Sequence, residues 1–409
     1  MKRTNIRRYF IKDFLPLGYL KEGIIALSFN IGGIVAGFTV ASQFNVFQTI
    51  PWAIALYPAI LSARGVISGT FSGRLSTALH LGTIDLRLRG NTDKFYLLIK
   101  TIIVLTLETS LIMSLFTIVV GFLFWGITLF DSVNILIIVT STMFLGMINS
   151  IITILFALVS FKKGLDTDVV LYPIMSTVAD ITMTLFYVSI LTLFFLFNFA
   201  GKIIVITLAM LLVTLAFFFS LRCYHNKEFI KTIKESILTL CLVAVIVNIT
   251  GTILRDIEKI VVGRKEIYTI YPALIDTIGD VGSVVGSTAT TKFALGLFAP
   301  SFRSILSHAK RIFATWLASV VMFIVYAVVS LLAEGLLTVH TFLSFFSLLF
   351  AVNVIAVSVI SVISFTVGYL TYKKGLDPDN FVIPIESSLA DTITTGALFF
   401  ALFMISYTI

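Results

Sequence analysis

Only 12% of the 409 residues are charged, 58% are hydrophobic, and the mean hydropathy is +1.06. A water-soluble chain carries about 25% charged residues, so these proportions exclude a soluble enzyme or binding module. The net charge of +8 invites a nucleic-acid reading, but the cations cluster in short segments between apolar runs, where they suit the anionic inner face of a membrane.

Apolar runs of eighteen residues or more can cross ~30 Å of hydrocarbon. In chain order they predict helices near 22–43, 51–82 (broken), 96–127, 132–160 and 170–199, then 202–221, 235–254, 267–296, 312–335, 340–371 and 382–407. Backbone polar groups in lipid are satisfied within a segment only when it is helical. The expected fold is therefore an all-α polytopic membrane protein with about 11 spans. The basic start "MKRTNIRRYFIKDF" is not followed by a short apolar run with a small-residue cleavage site, so no cleavable signal peptide is expected. Cys223, Cys241 and four scattered histidines offer neither a disulfide framework nor a Cys/His metal site, and no cofactor is expected.

Sidedness follows from the cations. With the N-terminus inside, the cytoplasmic segments hold 22 Lys/Arg and the opposite side five (Lys202, Arg255, Lys259, Arg264, Lys265), while Arg64 and Arg74 fall within the second helix. The asymmetry predicts N-in and C-out.

The chain repeats itself. "FKKGLDTDVVLYPIMSTVADITMT" and "YKKGLDPDNFVIPIESSLADTITT" match at 12 of 24 positions. "YPAILSARGVISGTFSGRLSTALHLG" aligns without gaps to "YPALIDTIGDVGSVVGSTATTKFALG", and "LKEG" near Glu22 answers "IKES" near Glu235. The offsets are 214, 211 and 213, so a whole five-helix unit is duplicated. Two five-span units joined directly would be inverted. The extra segment from Lys202 to Arg222 adds one crossing, so the halves should be parallel. The expected organisation is a cytoplasmic segment 1–21, a first repeat 22–200, a linker transmembrane helix 201–222 and a second repeat 223–409.

Asp180 and Asp391 stand in the fifth helix of each half, inside apolar sequence. A carboxylate there costs roughly 2.5–3.5 kcal/mol on insertion scales and faces a bundle interior or a watery path. At helical spacing Ser176, Asp180 and Thr184 share a face, as do Ser387, Asp391 and Thr395. Two carboxylates with hydroxyls, carbonyls and water suit Mg²⁺ or a similar hard divalent cation, which keeps much of its own water. The competing reading pairs each aspartate with a buried Lys or Arg; it is disfavoured because neither half offers a basic residue at equivalent depth for both.

Other carboxylates are ambiguous. Asp276 and Asp280 lie one turn apart in the eighth helix, where the first half has Ser62 and Val66. They either add a cation site in one half or pair with Arg64 or Arg74. Glu22 and Glu235, where the first helix of each half begins, serve a helix N-terminus or a cation vestibule. Asp166, Asp168, Asp377 and Asp379 read as caps of the fifth helices. Glu386 points roughly 140° away from Asp391, and Glu108 has no partner evident in sequence. The small-residue ridges Gly65-Gly69-Gly73 and Gly279-Gly282-Ser283-Gly286-Ser287 read chiefly as close packing.

The pattern Tyr-Pro-Ala…Gly…Gly…Ser-Thr, followed by "LDPDNFVIPIESSLAD", resembles the membrane domain of MgtE-type magnesium transporters, in the duplicated form of solute carrier family 41 and its prokaryotic relatives. The resemblance implies a divalent-cation pathway between the halves with Asp180 and Asp391 at the ion. Family members often have Gly-Asn where this chain has Gly65-Val66 and Gly279-Asp280. Bacterial members also carry cytosolic magnesium-sensing domains; only about twenty residues precede the first helix here, so such regulation is expected to be absent.

The reading is a divalent-cation transporter of the plasma membrane, for Mg²⁺ above all, whose path is lined by Asp180 and Asp391. Its partners are metal ions and the bilayer, with no nucleic acid, and the pore forms within one chain, a homodimer being the alternative. A Na⁺-coupled Mg²⁺ exchanger uses the same carboxylates. An intramembrane enzyme is the weaker alternative, since no HExxH, Ser/His pair or Cys nucleophile accompanies the aspartates.

Overall fold

The computed structural model describes residues 16–406 except 163–166, 198, 262–263, 300 and 374–377. The side chains of 16–17, 69, 73, 77, 80, 167–174, 294, 378–386 and 405–406 also lie outside the description. The expected caps Asp166, Asp168, Asp377 and Asp379, and Glu386, are therefore outside the described residues or side chains.

Among the described residues there is no strand. The first repeat opens with α1 (Pro16–Ser28) and α2 (Gly32–Ser42), joined by the 3₁₀ turn Phe29–Ile31, then a short α3 (Phe44–Thr49). It continues with α4 (Ala53–His80), α5 (Asp93–Val120), α6 (Leu129–Lys162) and α7 (Thr167–Phe195). The linker is α8 (Phe199–Cys223). The second repeat is α9 (Lys227–Ile260), α10 (Lys265–Ala294), α11 (Ile305–Ala333), α12 (Val339–Lys373) and α13 (Pro378–Ser406).

Ten helical segments among the described residues are long and apolar enough to cross a membrane, counting α1 to α2 as one from Gly18 to Ser42. The chain is a multi-pass, all-α membrane protein. α10 is the expected segment that does not qualify by composition: it has 30 residues, but Lys265, Glu266, Asp276, Asp280 and Lys292 dilute its apolar character.

The second helix, expected to be broken, is continuous from Ala53 to His80 with Pro58 inside it. Pro58 lies close to the helix start, so its missing N–H removes one early hydrogen bond and no interior turn is lost. α10 carries Pro272 at the matching place. A π-helical turn, Gly121–Trp125, extends α5 to a left-handed Gly126 (φ 68°), and α11 is followed after Glu334 by a left-handed Gly335 (φ 69°), a conformation that any Cβ opposes.

The chain divides into two compact units that cross the repeat boundaries. One is Thr39–Arg255; the other is the described part of Met1–Phe38 with Asp256–Ile409. Each unit thus combines the first helix of one repeat with helices two to five of the other. Glycine makes the exchange sterically feasible. In the unit built on 256–409, a Cβ at Gly37 would overlap the carbonyl oxygens of Tyr268 and Thr269, and one at Gly33 would overlap the backbone of Ala273. In the unit Thr39–Arg255, a Cβ at Gly251 would overlap the carbonyl oxygen of Ala55. Gly37 and Gly251 are 214 residues apart, as are Ala55 and Thr269, so this backbone contact is made twice.

Candidate functional site

In the unit Thr39–Arg255, α4 and α7 bring Arg64 and Asp180 together. Arg64 Nη2 donates to Asp180 Oδ1 at 2.5 Å, with 7% of Arg64 and 3% of Asp180 exposed. Arg64 Nη1 also reaches the Met175 carbonyl at 3.4 Å, and its Nε is buried without a hydrogen-bond partner. This corrects the expectation that the fifth-helix aspartates would lack a basic partner, for Asp180: α4 and α7 place the guanidinium against the carboxylate, a proximity that no spacing along the chain encodes. A buried carboxylate is costly in low dielectric, and an adjacent guanidinium offsets part of that cost.

One turn after Asp180, Thr184 shares a hydrogen bond of 2.9 Å with Tyr57 OH. Tyr57 stacks near Tyr187, with centroids 6.3 Å apart, and Tyr187 OH donates to the Ala53 carbonyl at 2.7 Å. α7 is thereby pinned to the start of α4. Ser176, one turn before Asp180, is half-buried.

The other unit repeats part of this arrangement. Asp391 is 8% exposed on α13. Thr395, one turn later, shares a 2.8 Å hydrogen bond with Tyr271 OH and donates to the Asp391 carbonyl at 2.6 Å. Tyr271 and Thr395 are the repeat equivalents of Tyr57 and Thr184. Both threonines are thus committed to helix pinning, and the expected oxygen stripe is reduced to the aspartates and the preceding serines. Ser387 is exposed. Where the first repeat has Arg64, the second has Ile278, fully buried.

Asp280, half-buried on α10, accepts from Asn30 Nδ2 at 2.8 Å; the same amide lies 3.5 Å from Thr277 Oγ1, which in turn bonds Tyr326 OH at 2.7 Å. Asn30 sits in the 3₁₀ turn between α1 and α2, so the exchanged first helix supplies this partner. Asp276, one turn earlier, is also half-buried. In the unit Thr39–Arg255, Arg64 engages Asp180, and Arg74 Nη1 donates to Thr232 Oγ1 at 2.6 Å. Among the described residues, no three His, Cys, Asp or Glu side chains converge as a metal cluster.

The family model for MgtE, described as a divalent cation transporter, matches residues 57–190 and again 271–401. The chain belongs to the MgtE divalent cation transporter family. The two matched segments cover helices two to five of each repeat, more than half of the chain, and include both aspartates and both Tyr–Thr pairs. No curated protein and no solved structure matches the chain.

Within this MgtE-family chain the remaining sequence candidates sit apart from the aspartates. Glu22 accepts from Arg311 Nη1 at 3.3 Å, and Glu235 lies 3.7 Å from Lys231 one turn earlier. Both carboxylates are exposed, and such surface pairs contribute little. Neither stands in a first helical turn, since α1 begins at Pro16 and α9 at Lys227. The helix-terminus reading therefore lapses, because that effect fades within the first turn.

Three residues have partners that sequence reasoning did not find. Arg64 was visible as a lone cation in an apolar helix. Asn30 was visible as an amide in an apolar run. Glu108 proves to accept from Ser236 Oγ at 3.0 Å, again through a first helix packed on the other repeat's helices.

Proposed function

We propose that this MgtE-family protein carries Mg²⁺ across the plasma membrane through a path lined by Asp180 of one repeat and Asp391 of the other. The observation that supports this most is the matching burial of the two carboxylates in membrane-crossing helices, each one turn before a threonine held by a tyrosine of its repeat's second helix. Carboxylate burial in an apolar helix is costly and marks ion pathways. Two carboxylate oxygens with retained water suit Mg²⁺, which is bound through one or two carboxylates and resists dehydration. Half-buried Asp280 and Asp276, with Ser176 and Ser387, supply further oxygens along the route. The family is one of transporters, and catalysis has no part in this reading.

The test is Mg²⁺ uptake into proteoliposomes by Asp180→Ala combined with Asp391→Ala, in protein that elutes as the wild type does on size exclusion. Flux should fall to the level of empty vesicles. Flux at the wild-type rate would overturn the reading.

A further inference from the structure

The Arg64–Asp180 pair exists in one unit and not in the other, because Ile278 replaces the arginine in the second repeat. Taking Asp180 as an ion ligand, as the reading above does, raises the question of what a buried guanidinium is doing on it. An arginine does not lose its charge within a protein. It therefore occupies the place on Asp180 Oδ1 that an incoming cation needs.

Two features limit how firmly the guanidinium is held. The contact is single, Nη2 to Oδ1, and lacks the paired fork that makes arginine–carboxylate contacts strongest. The rest of the guanidinium is poorly satisfied, with Nη1 at 3.4 Å from its acceptor and Nε buried without one. Beside it lies a crevice of about 10 Å³, the room one water needs, where Ser68 and Ser150 sit among Ile67, Met143, Met147 and Met183. It leaves space for a small shift of the guanidinium toward the Ser68 hydroxyl, which stands one turn beyond Arg64 on the same helix face.

We propose that Arg64 is a tethered counter-cation that occupies Asp180 in the ion-free state and swings off the carboxylate, toward Ser68, when a divalent cation binds. This rests on the ion-path reading of Asp180. A doubly charged ion outcompetes the single charge of Arg64 at the carboxylate, whereas monovalent ions do not, so the arginine also acts as a charge filter on this repeat. The competition lowers apparent affinity by the fraction of time Asp180 is open. Arg64 is in this sense a specificity residue acting through Asp180.

The experiment measures the KM for Mg²⁺ uptake in proteoliposomes for the wild type, Arg64→Gln, Arg64→Lys, and Arg64→Gln in an Asp180→Asn background. If the closed state holds about nine-tenths of the population, R64Q lowers KM about tenfold. R64K keeps the charge but gives up the second donor that Arg64 offers the Met175 carbonyl, so it lowers KM by a smaller factor, about threefold. In the D180N background, R64Q should no longer shift KM, because there is no carboxylate to compete for. A KM unchanged or raised in both R64Q and R64K overturns the proposal, as does an equal shift in the D180N background. Should R64Q fail to fold, R64K decides by the same criterion. The two readings fail separately: retained flux in the double aspartate-to-alanine variant removes the ion path, whereas lost flux there with unmoved KM in the arginine variants removes only the counter-cation.

Discussion

Asn30 Nδ2 donates to Asp280 Oδ2 at 2.8 Å, joining residues 250 apart in the chain. Asn30 belongs to the first helix of one repeat and Asp280 to the second helix of the other, within one compact unit. The other unit has Ala244 and Val66 at the equivalent places. A polar pair thus makes this contact in one unit, while the other unit has an apolar residue at the position of Asp280.

Asn30→Ala should therefore destabilise the protein. A hydrogen bond to a charged group contributes about 1.5–3 kcal/mol. Thermal unfolding in detergent should show the loss, and adding Asp280→Val should recover part of it because the stranded carboxylate is removed. An unchanged midpoint in N30A would contradict the contact.

Gly37 and Gly251 should tolerate no side chain. A Cβ at either meets a carbonyl oxygen of a neighbouring helix, which cannot yield as a flexible side chain can. Gly37→Ala and Gly251→Ala should each cost roughly 3 kcal/mol, the upper range for overpacking. Gly65 has open space around it, so Gly65→Ala should be neutral or gain up to about 1 kcal/mol from helix propensity. Ranking the three variants by unfolding midpoint checks this.

Removing Asp180 alone leaves Arg64 as a buried charge without its carboxylate. Asp180→Ala should cost about 3–5 kcal/mol, as breaking a buried pair does. Replacing both members, with Arg64→Leu and Asp180→Leu, should cost much less. A double-mutant cycle on chemical unfolding measures the coupling; additive losses would argue against the pair.

Tyr57→Phe and Tyr271→Phe each remove one hydroxyl from a buried tyrosine–threonine bond of nearly equal length, 2.9 and 2.8 Å. Each should cost about 0.5–1.5 kcal/mol. Thr395 keeps its bond to the Asp391 carbonyl, so the loss at Tyr271 should be no larger than that at Tyr57.

Much of this architecture is legible in local sequence. Composition identifies a polytopic helical protein, because an apolar run of sufficient length has one stable form in lipid. The duplication emerges from direct comparison of residues 57–82 with 271–296 and 161–184 with 372–395. The positions of Asp180 and Asp391 in their helices follow from the same alignment, and the family match covers both.

Partnership was not legible, because contacts across a bundle depend on which helix faces lie together. Arg64 and Asp180 are 116 residues apart, and nothing in either segment names the other. Thr184 and Thr395 have the same spacing as ion ligands would, yet each is bonded to a tyrosine. The exchange of first helices is also invisible in the repeat: Gly37 and Gly251 look like ordinary small residues until a carbonyl from the other repeat is found against each.

The sequence by itself determined the class of protein, the duplication and the two carboxylates inside apolar helices, since hydropathy, repetition and charge are properties of single segments. Only the tertiary structure decided that each unit borrows its first helix from the other repeat, and that Asp180 carries Arg64. Those outcomes depend on close backbone approach and on charges meeting in a low-dielectric interior, and both are properties of helices packed together.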